Sequence, residues 1–134
     1  MKGFNTDIEK ETLENQHFHR VLYTSKYSQL VVMSLKPLEE IGLESHPGND
    51  QFFRFEQGQG KCIVDNTEYS VRDGSVVIVP AGAMHNVINT SSTETLKLYT
   101  LYSPPHLQAG TAHMTRAEAE ANEIEFDGVT TESF

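Results

Sequence analysis

The chain has 134 residues, a length that fits one domain able to bury about two thirds of the surface of its unfolded state. Its 19 acidic and 10 basic residues give a net charge of -9, and this excess argues against nucleic-acid binding, which requires Lys and Arg to neutralise phosphates. The apolar runs are too short to cross a membrane, and the polar N-terminal residues do not resemble a signal peptide. The single cysteine, Cys62, excludes an internal disulfide, so we expect a cytoplasmic protein with neither nucleic-acid nor membrane partners.

In chain order, the sequence predicts a short lead-in, a series of strands and one helix near the end. Residues 1–16 are expected to be irregular or partly helical. Alternating or β-branched apolar runs bounded by turn residues predict strands at 18–24, 29–36, 51–56, 61–64, 68–71, 76–79, 87–89 and 95–102. Thr115 is predicted to cap a helix over 115–122, and residues 123–134 to form an acidic tail. Many short strands separated by turns indicate an all-β antiparallel sandwich or barrel.

Residues 74–89 form the most specific pattern of the chain: a β-branched strand, a sharp turn and a histidine. Pro80 cannot continue the strand, and Gly82 can adopt the backbone angles of a tight corner. His85 therefore follows a rigid turn, a place where a β scaffold can hold a metal ligand or an acid–base group. The spacing from Gly74 to Asn89 can be written G-x5-P-x-G-x2-H-x3-N.

A second pattern lies upstream and consists of Glu44, His46, Gln51 and Gly58. The two patterns together resemble the two motifs of the cupin superfamily, and they span roughly residues 38–89. The chain departs from the first motif at two ligand positions, because the family commonly has histidine where Glu44 stands and glutamate where Gln51 stands. The glycine that usually opens this motif is also absent, since Leu38 occupies its position.

The resemblance implies an antiparallel double-stranded β-helix, the RmlC-like jelly roll, with a short C-terminal helix. The whole of 1–134 would be one cupin domain, with a lead-in at 1–16, a barrel at about 17–103, and a C-terminal lid, helix and tail at 104–134. The chain looks like the small bacterial cupins that are labelled as similar to mannose-6-phosphate isomerase. The same resemblance implies a homodimer.

Four side chains are predicted to meet in the barrel mouth as ligands of one divalent metal. Glu44 and His46 are two residues apart, so on one strand they would face the same side. Gln51 would return beside them across a turn, and His85 would arrive from the Pro80 corner. Two imidazoles and one carboxylate suit Fe, Mn, Ni, Zn or Co, and the sequence does not choose between these metals. Gln51 could instead bind a water or a backbone group.

The other candidate residues carry weaker signals. Glu44 and His106 are the two candidates for a catalytic acid or base, with His106 on a segment that could cover the cavity. His17 and His19 flank a phenylalanine in a strand and are expected to be exposed, and the sequence assigns no role to His113. Tyr99 and Tyr102 could line the cavity or simply pack. Since no arginine or lysine stands in the predicted site, phosphorylated substrates are disfavoured.

Two functions fit these residues. The first is a metal-dependent enzyme, dioxygenase-like or isomerase-like, that acts on a small polar organic substrate. The second is a non-catalytic cupin that binds a small ligand or a metal as a sensor or storage module. Metal content and turnover separate the two.

Overall fold

The computed structural model describes residues 1–133, and within them it contains nine strands and two short helices. The helices are α1 (Ile8–Glu14) and α2 (Arg116–Asn122). The strands are β1 (His19–Thr24), β2 (Gln29–Leu35), β3 (Asp50–Gln57), β4 (Gln59–Val64), β5 (Thr67–Arg72), β6 (Val76–Val79), β7 (His85–Asn89), β8 (Leu96–Ser103) and β9 (Ala112–His113). Every predicted strand is present with ends within two residues, and β9 is the strand that the sequence did not predict.

The strands form two antiparallel sheets that enclose the core. One sheet has six strands in the order β6-β3-β8-β2-β1-β9, and the other has three in the order β5-β4-β7. Because β3 and β4 are consecutive yet lie in different sheets, the chain passes between the two sheets repeatedly, as in a jelly roll. The predicted all-β antiparallel double-stranded β-helix with a short C-terminal helix is confirmed.

Strand β3 shows how the sequence directs side chains into the barrel. Its residues alternate between the two faces, so Gln51, Phe53 and Phe55 are buried inside. Phe52 points to the opposite face, is only partly buried and packs against Tyr99 with ring centroids 6.4 Å apart. An inward-facing polar residue at Gln51 among phenylalanines therefore marks the polar end of the cavity.

The turn between β6 and β7 fixes where the histidine of β7 begins. Gly82 has a φ of +88°, which a residue with a side chain rarely adopts. Its N–H donates to the carbonyl of His46 over 3.1 Å, which ties the turn to the upstream segment. Asp65 fixes the other end, because its carboxylate accepts from the N–H of Met84 over 2.9 Å. The turn is thus held on both sides.

Asn89, the last residue of the β6–β7 pattern, has a structural role. Its side-chain amide donates to the carbonyls of Leu35, Lys36 and Glu94 over 2.8 to 3.1 Å. Its side-chain oxygen accepts from the N–H of Ser91 over 3.0 Å. Since Asn89 is buried, these bonds satisfy backbone groups that water cannot reach.

The C-terminal segment, which includes the predicted acidic tail, packs on the barrel. Leu107 is buried and forms a bridge with Glu125. Further along, the N–H of Thr131 donates to the carbonyl of Thr24 over 2.9 Å, and Glu132 accepts from the hydroxyl of Tyr23. Residues 131 and 132 therefore lie against β1. Neither helix within residues 1–133 has the length and apolar character needed to span a membrane.

Candidate metal centre

Three of the predicted ligands meet where two loops and a strand come together. Glu44 was expected to share a regular strand with His46, and this is wrong: residues 39–46 are irregular and form only isolated bridges. Glu44 bridges His85 at the start of β7, with both backbone N–H···O distances at 2.9 Å. The backbone pairing, and not strand alternation, therefore places the carboxylate beside the histidine.

Glu44, His46 and His85 form a compact cluster of ligand atoms, all of which lie within 4.8 Å of one another. The Nε2 atoms of His46 and His85 lie 3.2 and 3.5 Å from Oε1 of Glu44. Both nitrogens are buried, yet neither has a hydrogen-bond partner of acceptable geometry among residues 1–133. Buried polar atoms are nearly always satisfied, so three atoms that converge without bonding one another fit a metal ion between them.

A backbone contact sets the tautomer of His85. Its Nδ1 lies 3.0 Å from the carbonyl oxygen of Ala83, and a carbonyl can only accept. Nδ1 therefore carries the proton, and the neutral ring keeps its lone pair on Nε2, the nitrogen that faces Glu44. Such a contact orients the ring of a histidine ligand and increases its basicity.

The charge state of Glu44 also suits a ligand. Burial opposes its ionisation, but the neighbouring His46 and His85 outweigh this and lower the pKa of the carboxyl to about 2. The carboxylate is therefore ionised at neutral pH. Its negative charge in turn raises the pKa of His85, against the effect of burial.

Gln51 lies on the inner face of β3, opposite Tyr102 in the β3–β8 register, and the ring of Tyr102 has its centroid 5.7 Å from that of His46. The side-chain nitrogen of Gln51 donates to the hydroxyl of Thr100 over 3.1 Å. Its side-chain oxygen is buried and has no partner in the described part of the chain. That oxygen is available to a metal or a water, so both interpretations of Gln51 stay predictions.

His106 lies directly beside the cluster. Its ring centroid is 4.2 Å from that of His46, and its Nε2 is 3.1 Å from a carboxylate oxygen of Glu123. The His106 backbone N–H donates to Gln29 Oε1 over 3.2 Å. The contact with His106 is the main reason why the pKa of Glu123 is lowered. A buried glutamine and a carboxylate thus hold the imidazole against the candidate ligand His46.

A cavity of about 220 Å³ opens onto Glu44. Its apolar wall is formed by Phe18, Met33, Ile41, Leu43, Tyr102, Leu107 and Ala119. Its polar and charged wall is formed by His19, Glu44, His106, Arg116, Glu120 and Glu123. Tyr102 therefore lines the cavity, whereas Tyr99 packs against Phe52 on the outer face. A small molecule in this cavity would contact the candidate ligand Glu44 and the C-terminal segment at once.

Comparison with known proteins decides the family. The model of the cupin domain matches residues 31–102, more than half of the 134 residues. The chain belongs to the cupin family. This cupin is 45% identical to the uncharacterized protein YrkC of Bacillus subtilis over 128 residues, covering 91% of this chain and 68% of YrkC.

Two further proteins are similar along most of this cupin. The uncharacterized protein L612 of Acanthamoeba polyphaga mimivirus is 40% identical over 116 residues, which cover 84% of this chain and 72% of L612. The crystal structure of BH2720 from Bacillus halodurans superposes with a TM-score of 0.88 at 40% identity, covering 90% of this chain and 96% of BH2720.

The expectation that His19 is exposed is wrong, because this cupin buries it under the C-terminal segment. His19 pairs with His113 in the β1–β9 register, and its Nε2 lies 2.7 Å from Nδ1 of His113. Only 5% of His19 is exposed. Burial, and secondly the neighbouring His113, lower the pKa of His19 to about 4. His17, two residues earlier, is half-buried and lies outside the cavity.

This burial predicts a pH-dependent stability. The lowered pKa means that the unfolded chain binds a proton near pH 6.5, whereas folded His19 binds it near pH 4. The free energy of unfolding should therefore fall as the pH drops from 6.5 to 4, by up to about 3 kcal/mol, since one pKa unit corresponds to about 1.4 kcal/mol. Urea unfolding of the wild type and of His19→Gln across this range measures the difference. His17→Gln is the matched control, and an equal pH slope in the wild type and His19→Gln would contradict the assignment.

Two charged residues of the site were missed by sequence reasoning. Glu123 was assigned to an acidic tail, and Arg116 was seen only as part of a helix. Arg116 contradicts the expectation that the site contains no arginine or lysine. The sequence did contain an indication for Arg116. A cation at the first position of a helix is electrostatically unfavourable, which suggests that its side chain has a role outside the helix.

Proposed function

We propose that this cupin binds one divalent transition metal through Glu44, His46 and His85 and acts with it on a small polar organic molecule. The observation that carries the proposal is the pair of buried Nε2 atoms that face one ionised carboxylate and have no hydrogen bond of acceptable geometry within residues 1–133. A metal ion would satisfy all three groups together. The 220 Å³ cavity beside Glu44 leaves space for a small ligand.

The metal would be Fe, Mn, Ni, Zn or Co, each of which accepts imidazole and carboxylate ligands. When bound by two imidazoles and one carboxylate, such an ion supplies a Lewis acid with open coordination positions. Gln51 is proposed as a further oxygen ligand because its buried side-chain oxygen lacks a partner. We assign Glu44 the role of a metal ligand and not that of a catalytic base, because the Nε2 atoms of both candidate histidine ligands face its carboxylate.

His106 is the proposed proton-transfer group. Glu123 accepts a hydrogen bond from His106 Nε2, which fixes the tautomer and the orientation of the imidazole ring. This arrangement leaves Nδ1 of His106 to take or give a proton. A histidine that is oriented by a carboxylate and lies beside the proposed metal favours an isomerase-like reaction, which transfers a proton. A dioxygenase-like reaction would need only free coordination positions on the metal.

Elemental analysis after reconstitution tests the proposal. The untagged protein, purified without chelators, would be dialysed against each of the five metals and then freed of excess ion. Near-stoichiometric content of at least one metal is expected. Failure of all five to bind would overturn the metal proposal. Solvent deuterium incorporation into candidate substrates then tests proton transfer, and it should be lost in His106→Gln while metal content is retained.

A non-catalytic binding protein is the second candidate. The close contact of His106 with His46 and with Glu123 favours it, because an imidazole held in this way can orient a bound ligand without transferring a proton. A molecule that raises the melting temperature of the metal-loaded protein and is recovered unchanged would support this second function.

The homodimer and the cytoplasmic location remain predictions. The surface that favours a dimer is edge strand β6, where Val76 and Ile78 are 46% and 65% exposed. An edge strand with exposed apolar residues can pair with a second copy of the chain.

A further inference from the structure

Arg116 brings a guanidinium group to the cavity wall opposite the barrel. It is the first residue of α2, and it lines the same cavity as Glu44. Within residues 1–133 its ion-pair partner is Glu120, which accepts from Nε over 2.9 Å. That contact uses one of the five N–H donors of the side chain, so the two terminal nitrogens keep four donors for another group.

Helix stability does not account for an arginine at this position. A positive charge in the first turn opposes the helix dipole, which favours anions there. The pair with Glu120 has the cation four residues before the anion, and this is the weaker of the two orientations along a helix. The presence of Arg116 is therefore better explained by the cavity that its side chain lines than by a contribution to the stability of α2.

Gly42 provides the space in which this guanidinium lies. A Cβ built on Gly42 would be 2.8 Å from the terminal nitrogen Nη2 of Arg116. Gly42 has a φ of +106°, and its N–H donates to the side chain of Asn86 over 2.9 Å. Asn86 follows His85 directly, so the strand that supplies a candidate metal ligand also positions the backbone against which Arg116 rests.

We propose that Arg116 binds a carboxylate of the molecule held at the metal centre, so that the preferred ligands are small organic acids. The inference rests on the proposed metal function. Guanidinium groups bind carboxylates through two parallel hydrogen bonds, and the terminal nitrogens of Arg116 have those donors free. Phe18, Met33 and Leu107 supply an apolar wall for the carbon chain between the two ends.

The charges around the cavity select a carboxylate over a phosphate. Glu44, Glu120 and Glu123 all line the cavity, against the single guanidinium of Arg116. Glu44 would bind the proposed metal, and Glu120 already pairs with the guanidinium. A phosphate dianion would meet twice the repulsion that a monoanionic carboxylate meets from the remaining negative charge. The best ligand therefore carries one carboxylate for Arg116 and, at the other end of its carbon chain, a separate 2-hydroxy acid group for the metal.

Calorimetric titration of the Co(II)-loaded protein with paired 2-hydroxy acids tests this inference. Malate and 2-hydroxyglutarate carry a second carboxylate, whereas 2-hydroxybutanoate and 2-hydroxypentanoate have the same chain lengths without it. At least one dicarboxylate should bind the wild type about tenfold tighter or more than its partner, as expected for hydrogen bonds between charged groups. Arg116→Gln should abolish this preference, and Arg116→Lys should keep part of it.

Bound cobalt and the melting temperature of each variant are measured alongside. Arg116→Gln should keep its cobalt, its fold and its affinity for 2-hydroxybutanoate, and Arg72→Gln, outside this cavity, should behave as the wild type. Equal affinity of the wild type for both members of each pair, or an unchanged preference in Arg116→Gln, would overturn the inference while leaving the metal proposal intact. Absence of bound cobalt in the wild type would overturn both.

Discussion

Replacing His46 and His85 together with alanine is expected to reduce the metal content from near-stoichiometric to undetectable. Mutating residues that merely support a metal ligand costs about 10- to 100-fold in affinity, and removal of two ligands should cost considerably more. The double variant should still fold, because the two buried Nε2 atoms have no hydrogen bond of acceptable geometry within residues 1–133 and the contact of His85 Nδ1 with Ala83 is the one ring hydrogen bond lost there. Elemental analysis and a Co(II) absorption titration measure the loss.

A second double variant, His17→Ala/His113→Ala, is the matched control. It removes the same number of imidazoles from positions outside the cluster of three ligands. It should bind metal as tightly as the wild type. If the two double variants held equal amounts of metal, the ion would be bound elsewhere and the proposed centre would be wrong.

Replacing Gly60 with alanine is expected to cause a large loss of stability from a single methyl group. A Cβ at Gly60 would lie 2.5 Å from the carbonyl oxygen of Ile88 and 2.9 Å from the side chain of Leu96. The first contact is with backbone in the β4–β7 ladder, so no rotamer change relieves it. We expect a loss of roughly 4 kcal/mol, from about 3 for overpacking and about 1 for a broken ladder hydrogen bond. Urea unfolding measures it.

Gly48→Ala provides the comparison for this prediction. A Cβ at Gly48 would meet nothing within 4 Å, and its φ lies outside the left-handed region. The variant should unfold within about 0.5 kcal/mol of the wild type, as is usual for surface substitutions. Similar stabilities for Gly60→Ala and Gly48→Ala would show that β4 and β7 can separate to admit the methyl group.

The strands could be predicted because each depends on local chemistry. Alternation places Phe53 and Phe55 inside β3, and Pro80 ends β6 without help from distant residues. Strand β9 could not be predicted in this way. It is two residues long and exists only because His113 pairs with His19, 94 positions away.

The residues of the candidate site also differ in whether local sequence could predict them. His46 and His85 stand inside motifs whose spacing could be read directly, although the expected strand through Glu44 proved to be an isolated bridge. The contacts of Glu123 with His106 and of Arg116 with the cavity depend on how the C-terminal segment returns to the barrel. Neither hydrophobic periodicity nor turn residues predict that the C-terminal segment folds back onto the barrel. The sequence therefore indicated only an acidic tail for Glu123 and a helix for Arg116.

The candidate metal ligands and several residues that line the cavity come from different parts of the chain. The segment that matches the cupin domain, 31–102, contains all three candidate metal ligands. His19, His106, Arg116 and Glu123 lie before or after it. Substitutions in these terminal segments can therefore change which molecule fits the cavity while the barrel and its ligands stay the same. The candidate metal ligands can therefore be retained in a relative while the residues of these terminal segments that line the cavity change.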